Sequence, residues 1–119
     1  MANLGTCYEN GKGVKQSFRK AAYWYCKGSR NDDGNAIANL GVCYLTGRGV
    51  KQDVDTALQL FLRGDEIGNG ISMFYLGLMY SYGGAVEKDA YRAEGLFRKA
   101  LASGHPLVVE KLRGAGVID

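Results

Sequence analysis

Apolar and polar residues follow one another along the chain in a pattern that recurs every 36 residues, without insertion or deletion. We call positions that lie 36 residues apart a repeat column. Leucine, glycine and tyrosine columns open the pattern and an aromatic column closes it: Leu4, Leu40 and Leu76; Gly5, Gly41 and Gly77; Tyr8, Tyr44 and Tyr80; Tyr25, Phe61 and Phe97. A fixed period of this length indicates a repeat architecture. The sequence therefore predicts three copies of one structural unit.

The first half of each unit predicts a helix. Leu4, Gly5 and Tyr8 lie on one side of a helix, because residues one, three or four apart share a face at 3.6 residues per turn. A glycine within that face costs about 1 kcal/mol of helix propensity relative to alanine. Since it has no side chain, we expect a neighbouring helix to approach closely there. Gly11 and its column can adopt the left-handed conformation, which ends many helices.

The second half of each unit predicts another helix, with a turn of five to six residues before it. Ser17, Asp53 and Asp89 are placed to cap this helix by accepting its free N–H groups. Ala21 and Tyr25 then form the beginning of an apolar stripe. One such antiparallel hairpin cannot bury both of its faces, so successive hairpins must stack.

Composition adds limits to this picture. The 119 residues suit a single domain. Of the 18 glycines, 14 stand in columns where glycine recurs, so glycine is structural here. A net charge of +3 is too small to indicate nucleic acid as the partner by itself, and we expect no nucleic-acid partner. The three cysteines form no C-x-x-C pair, so we expect no disulfide framework, metal site or cofactor. With neither a membrane span nor a signal peptide in the chain as given, we expect a cytoplasmic protein, although an upstream segment could be missing.

The segment ANLGVCYLTGRGVKQDVDTALQLF, residues 38–61, resembles the Sel-one-like repeat, a relative of the tetratricopeptide repeat with a longer turn. Residues 2–25 match the same pattern, and the resemblance covers about the whole chain. It implies an all-α, right-handed α-α superhelix, or solenoid, that forms one domain over residues 1–119. Its three helix-turn-helix units would span about 1–34, 35–70 and 71–106, followed by a closing helix at about 107–114.

Two departures from the family pattern bear on the local structure of the helices and turns. Gly84 and Ala85 replace the x-Gly of the third turn, so we expect that turn to bend differently. Gly28 and Gly64 stand where the family prefers alanine, which predicts that those helix ends fray.

No catalytic residue stands out. His105 is the only histidine, and its place directly before Pro106 favours a helix-start residue. The alternative is an enzyme or small-ligand protein that uses His105 with a tyrosine or cysteine of the groove. A further alternative is weak nucleic-acid binding through the basic turns, which carry Lys12, Lys15, Arg48 and Lys51. These turns lack the spacing of a phosphate-binding loop, and Asp53 would repel a phosphate.

The best candidate for a binding site is an apolar column on the first helices, opposite the leucine and tyrosine face. The resemblance implies that this column lines the concave surface of the superhelix. The predicted contact residues are Val42, Leu45, Phe74, Leu78 and Tyr82. We therefore expect a non-catalytic scaffold or adaptor that holds a peptide, a helix or a protein, with a second copy of the chain as one possible partner. The rival interpretation is that these residues pack against adjoining repeats.

Overall fold

The computed structural model describes the backbone of residues 2–118 and the side chains of residues 4–118. Within that range all regular structure is helical, in seven helices: α1 (Ala2–Asn10), α2 (Phe18–Arg30), α3 (Gly34–Thr46), α4 (Val54–Glu66), α5 (Gly70–Tyr82), α6 (Ala90–Ala102) and α7 (Val108–Gly114). The helices pair as three hairpins, and α7 follows as the closing helix. The predicted all-α solenoid is confirmed.

Each hairpin packs mainly against its sequence neighbours. Helix α2 contacts α3, α4 contacts α5, and α7 lies against both α5 and α6. The stack measures 41 × 27 × 25 Å. Among the described helices, none is both long and apolar enough to cross a membrane. Because contacts are confined to neighbouring units, the first helices form one wall of the molecule and the second helices form the other.

The close approach that the glycine column predicts is confirmed, and the neighbour is the aromatic column of the same unit. A Cβ atom added to Gly5 would lie 2.4 Å from the ring of Tyr25. The same addition to Gly41 would meet Phe61 at 2.5 Å, and at Gly77 it would meet Phe97 at 2.6 Å. All three rings are buried. Glycine is therefore required where the ring packs against the first helix.

Seven residues separate the helices of each hairpin, over 11–17, 47–53 and 83–89. This turn is longer than predicted, because both the left-handed glycine and the capping residue lie outside the helices. The backbone N–H groups of Ser17, Asp53 and Asp89 donate to the carbonyls of the tyrosine column at 2.8, 2.9 and 2.9 Å. The side chains of these three residues accept an N–H group of the next helix. The predicted caps are confirmed.

The third turn bends differently, as the sequence indicates. Gly47 and Gly83 have similar φ angles of 74° and 76°, but their ψ angles are 27° and −162°. Gly84 then takes a φ of 105°, whereas in the second unit it is Gly49 that has the second positive φ. Ala85 packs against the core instead. The extra glycine one position earlier lets a residue with a side chain stand at position 85.

The expectation that helices fray at Gly28 and Gly64 is wrong. Helix α2 continues to Arg30 and α4 continues to Glu66. Gly64 faces Ser72 of the next unit, and a Cβ atom at position 64 would lie 1.9 Å from the Ser72 hydroxyl oxygen. Ser72 is completely buried. This glycine therefore supports packing between units, which offsets its low helix propensity.

Helix α7 has the place of the first helix of a fourth unit. Leu112 continues the leucine column and is 0% exposed. Arg113 stands in the glycine column, where the other units receive an aromatic ring. On α6, Glu94 and Arg98 form an ion pair at 2.6 Å. They stand in the repeat columns of Leu58 and Leu62, and these two leucines pack against the next unit. This end of the array has the polar chemistry of a capping unit.

The start of α7 is held by His105, in the column of Asp33 and Asn69. All three side chains accept backbone N–H groups at the start of the following helix. His105 Nδ1 accepts from Leu107 at 3.1 Å, so the proton of the neutral ring is on Nε2, which donates to Asn35 Oδ1 at 2.9 Å. Burial, followed by the charge of Lys111, lowers the pKa of His105. His105 is a helix-start residue in this structure.

The glycine column generates a stability prediction. Replacement Gly41→Ala should destabilise the fold by about 1–2 kcal/mol, because overlap with Phe61 outweighs the gain of helix propensity. Gly95→Ala is the matched control, since nothing lies within 4 Å of an added Cβ atom there. It should stabilise α6 by about 0.5–1 kcal/mol. Urea unfolding followed by circular dichroism measures both values. Equal effects of the two substitutions would contradict the packing role of Gly41.

A second prediction concerns pH. Because the pKa of His105 is lowered in the folded state, protons bind the unfolded chain first as the pH falls. The stability contributed by neutral His105 is complete above about pH 6.5 and is lost as the pH falls below that value towards the folded pKa. His105→Asn, which copies Asn69, keeps an acceptor and removes the titration. We expect the native Tm to fall more than the variant Tm between about pH 7.5 and about pH 5. Parallel curves would refute this role.

Candidate functional site: the concave groove

A groove of about 280 Å³ crosses the wall formed by the first helices. We call it the concave groove, and it is lined by Thr6 and Glu9 of α1, by Asn35, Ala38 and Asn39 of α3, by Ile71 of α5, and by His105, Leu107 and Lys111 at α7. The second helices contribute no lining residue. Every unit therefore supplies part of one continuous site, and the stacking of the repeats sets its geometry.

The α1 end of the groove carries a carboxylate. The Tyr25 hydroxyl lies 3.3 Å from Thr6 Oγ1 and donates to Glu9 Oε2 at 3.5 Å. Burial raises the pKa of Tyr25 to about 12, so the hydroxyl keeps its proton and acts as a donor. Arg48 of the next turn approaches Glu9 at 3.9 Å, with both side chains partly exposed. Tyr25 thus packs on Gly5 with its ring and orients Glu9 with its hydroxyl.

The middle of the groove combines carboxamides with apolar groups. Asn35 Oδ1 accepts from both Asn69 Nδ2 and His105 Nε2, which fixes its orientation. Asn39 lies half-buried one turn further along α3 and has no hydrogen-bond partner among the described residues. A carboxamide offers two donors and one acceptor oxygen. Ala38 and Ile71 form the apolar floor beside it.

The α7 end of the groove carries an ammonium group. Lys111 Nζ donates to the Tyr75 hydroxyl at 3.3 Å and lies 5.3 Å from the centre of the same ring. Tyr75 is held in turn by stacking on Phe61, with the ring centres 5.2 Å apart. Among the described residues no carboxylate pairs with Lys111 within 4.0 Å. Lys111 is therefore positioned by an aromatic ring and has an unneutralised charge.

None of the five residues that the sequence singles out lines the concave groove. Phe74 is only 4% exposed and packs within the core beside Phe97, so a partner cannot reach it. Val42, Leu45 and Leu78 are partly buried against the hydrophobic clusters of the adjoining units. Tyr82 is 77% exposed at the end of α5.

All of these residues except Tyr82 pack against other repeats, as the rival interpretation expects. The reason is physical: α3 lies between α1 and α5, and α5 lies between α3 and α7, so the apolar flanks of these two helices pack against adjoining units. Among the members of these columns whose side chains the structure describes, the ones that line the groove are Thr6, Glu9 and Ala38, which are short or polar.

Sequence reasoning missed the two asparagines and Lys111. Asn35 and Asn39 stand in the segment GNAIANLGV, where every other residue is glycine or apolar. Two carboxamides four residues apart within an otherwise apolar helix share one face, and that face must be open to solvent or to a ligand. This signal was present in the sequence. Lys111 had no such signal, because α7 joins the groove only through the fold.

Two of the groups that a catalytic interpretation would use, His105 and Cys43, are hydrogen-bonded or buried. Both ring nitrogens of His105 are engaged in hydrogen bonds. Burial raises the pKa of the Cys43 thiol to about 11, which disfavours the thiolate. Within the described residues no group of three or more His, Cys, Asp or Glu side chains could hold a metal ion. Arg48 of the basic turns lies over the ring of Phe18 at 4.9 Å and beside Glu9.

Comparison with known proteins places this fold. A search of curated proteins finds no significant match. Among solved structures, a Sel1 repeat protein from Oxalobacter formigenes superposes with a TM-score of 0.84 at 26% identity, over 98% of this chain and 50% of that one. The protective antigen c5321 of uropathogenic Escherichia coli, which displays an SLR fold, gives 0.79 at 30% identity, over 97% and 25%. The chain thus spans half or less of these two relatives.

Cysteine rich protein B of Helicobacter pylori shares the fold with a TM-score of 0.72 at 22% identity, over 92% of this chain and 82% of that one. The family model of the Sel1 repeat matches residues 1–33, 34–64 and 70–105. These three matches cover most of the chain and coincide with the three hairpins. The chain belongs to the Sel1 repeat family.

Proposed function

We propose that this chain is a non-catalytic binding module that holds an extended segment of another protein in the concave groove. Sel1 repeat proteins generally serve as scaffolds for protein interactions. The observation that carries the proposal is the carboxamide of Asn39, which lines the groove and has no partner among the described residues. A peptide backbone presents both an N–H donor and a carbonyl acceptor, which are the two groups that a carboxamide can satisfy.

The construction of the groove supports a peptide as its occupant. The groove lies on the wall of first helices, and no second helix encloses it. The lining residues sit on packed helices, which hold their positions before the ligand arrives.

A test of the binding site compares Asn39→Ala with Tyr82→Ala. The probe is a linear peptide selected against the full chain from a phage-displayed library and measured by fluorescence polarisation. We expect Asn39→Ala to weaken binding about 2- to 10-fold, as for the loss of one or two hydrogen bonds. The Asn39→Ala variant should remain folded, because the Asn39 side chain makes no hydrogen bond within the described structure.

Tyr82→Ala is the matched control, since Tyr82 is exposed and belongs to the apolar site that the sequence predicts. Unchanged binding in Tyr82→Ala together with weaker binding in Asn39→Ala supports the concave groove. The reverse result would move the site to the end of α5. A library that yields no peptide sensitive to either substitution would overturn the proposal.

The state of the thiols gives a further prediction. Cys43 is 2% exposed with a raised pKa, whereas Cys7 and Cys26 are partly exposed. Alkylation of the native chain near neutral pH should label Cys7 and Cys26 first, and should label Cys43 only at the rate at which the chain opens. Mass spectrometry of proteolytic peptides reads the three rates separately. Rapid labelling of Cys43 in the native chain would show a reactive thiol and revive the enzyme alternative.

A further inference from the structure

The charges of the concave groove stand at opposite ends of the array. Glu9 lies on α1 and Lys111 lies on α7, and His105 is neutral. Among the lining residues that the structure describes, these two are the charged side chains. The groove therefore has a negative end at the first unit and a positive end at the closing helix, with uncharged carboxamides and apolar groups between them.

Both charges are held in place by tyrosine hydroxyls. Tyr25 donates to the Glu9 carboxylate at 3.5 Å, and Tyr75 accepts from the Lys111 ammonium at 3.3 Å. The two tyrosines are packed in separate units, Tyr25 against Gly5 and Tyr75 against Phe61. Side chains that are restrained in this way lose less conformational entropy when they bind an opposite charge.

Neither charge is fully neutralised within the described chain. The nearest cation to Glu9 is Arg48 at 3.9 Å, which is a long contact between two partly exposed groups. Glu9 and Lys111 do not pair with each other, although they line the same groove. A ligand that supplies a cation at one end and an anion at the other would satisfy both.

We propose that the occupant of the concave groove is a peptide segment with a basic side chain that pairs with Glu9 and an acidic side chain that pairs with Lys111, joined by one or two small apolar residues over Ala38 and Ile71. This inference rests on the proposed function, because it requires the groove to bind a peptide. It adds the charge pattern of the partner and the order in which that pattern lies across the repeats.

The experiment uses the full chain and peptides blocked at both termini, so that only side-chain charges differ. One peptide carries lysine and glutamate separated by two alanines, a second carries the two in reversed order, and a third carries glutamine at both places. We expect the lysine–glutamate peptide whose order matches the two ends of the groove to bind more tightly than the glutamine peptide. The gain should be roughly two- to fivefold for each ion pair. Added salt should reduce this difference.

Charge removal in the protein tests the assignment of each end. Glu9→Gln should reduce the preference for the basic residue, and Lys111→Gln should reduce the preference for the acidic residue. The exchange Glu9→Lys should reverse the preference at the α1 end, so that a doubly acidic peptide becomes the best ligand. Glu87→Gln and Lys51→Gln, which change charges in the exposed turns, are the matched controls and should have no effect.

The outcomes separate the two proposals. Binding that depends on Asn39 but is unaffected by Glu9→Gln and Lys111→Gln retains the peptide-binding function and refutes the charge pattern. Binding that depends on neither Asn39 nor the two charges refutes both. Equal effects of the groove substitutions and the turn controls would indicate attraction to net charge alone, which also refutes the inference.

Discussion

The contact of an aromatic ring with a glycine, repeated in three units, sets the distance between the two helices of every hairpin. An alanine at any of these glycines would place its Cβ atom 2.4–2.6 Å from the ring. Ordinary helix pairs keep their axes about 8–10 Å apart because side chains separate them. Here the missing side chain lets the ring reach the backbone of the first helix. The same contact therefore holds each first helix against its own second helix, and the groove is built on first helices held in this way.

Tyr25 links the packing to the site. Its ring fills the place that Phe61 and Phe97 fill in the later units, while its hydroxyl passes Gly5 and meets Thr6 and Glu9. The same column thus serves the core in two units and the groove in one. In this array, one hydroxyl group at a repeated packing position adds a polar contact to the groove.

The parts of the fold that depend on local spacing were predictable. The period of 36 residues, the capping residues and the turn glycines all act within one hairpin, so their columns in the sequence identified them. The groove depends on how successive units curve, which no single column encodes. For this reason the sequence alone does not indicate that Val42 and Leu45 are partly buried against the next unit, or that Phe74 lies in the core. The four-residue spacing of Asn35 and Asn39 does indicate an open face, whereas nothing in the sequence indicates that Lys111 joins the groove.

Arg113 has a consequence for engineering. A designer who wished to lengthen this array by grafting a further second helix would find a guanidinium side chain where a ring must lie. The graft would have to restore glycine at position 113 and replace the ion pair of Glu94 and Arg98 with apolar residues, as at Leu58 and Leu62. Three substitutions would convert the closing surface into a seam between repeats, with Lys111 and the concave groove left in place.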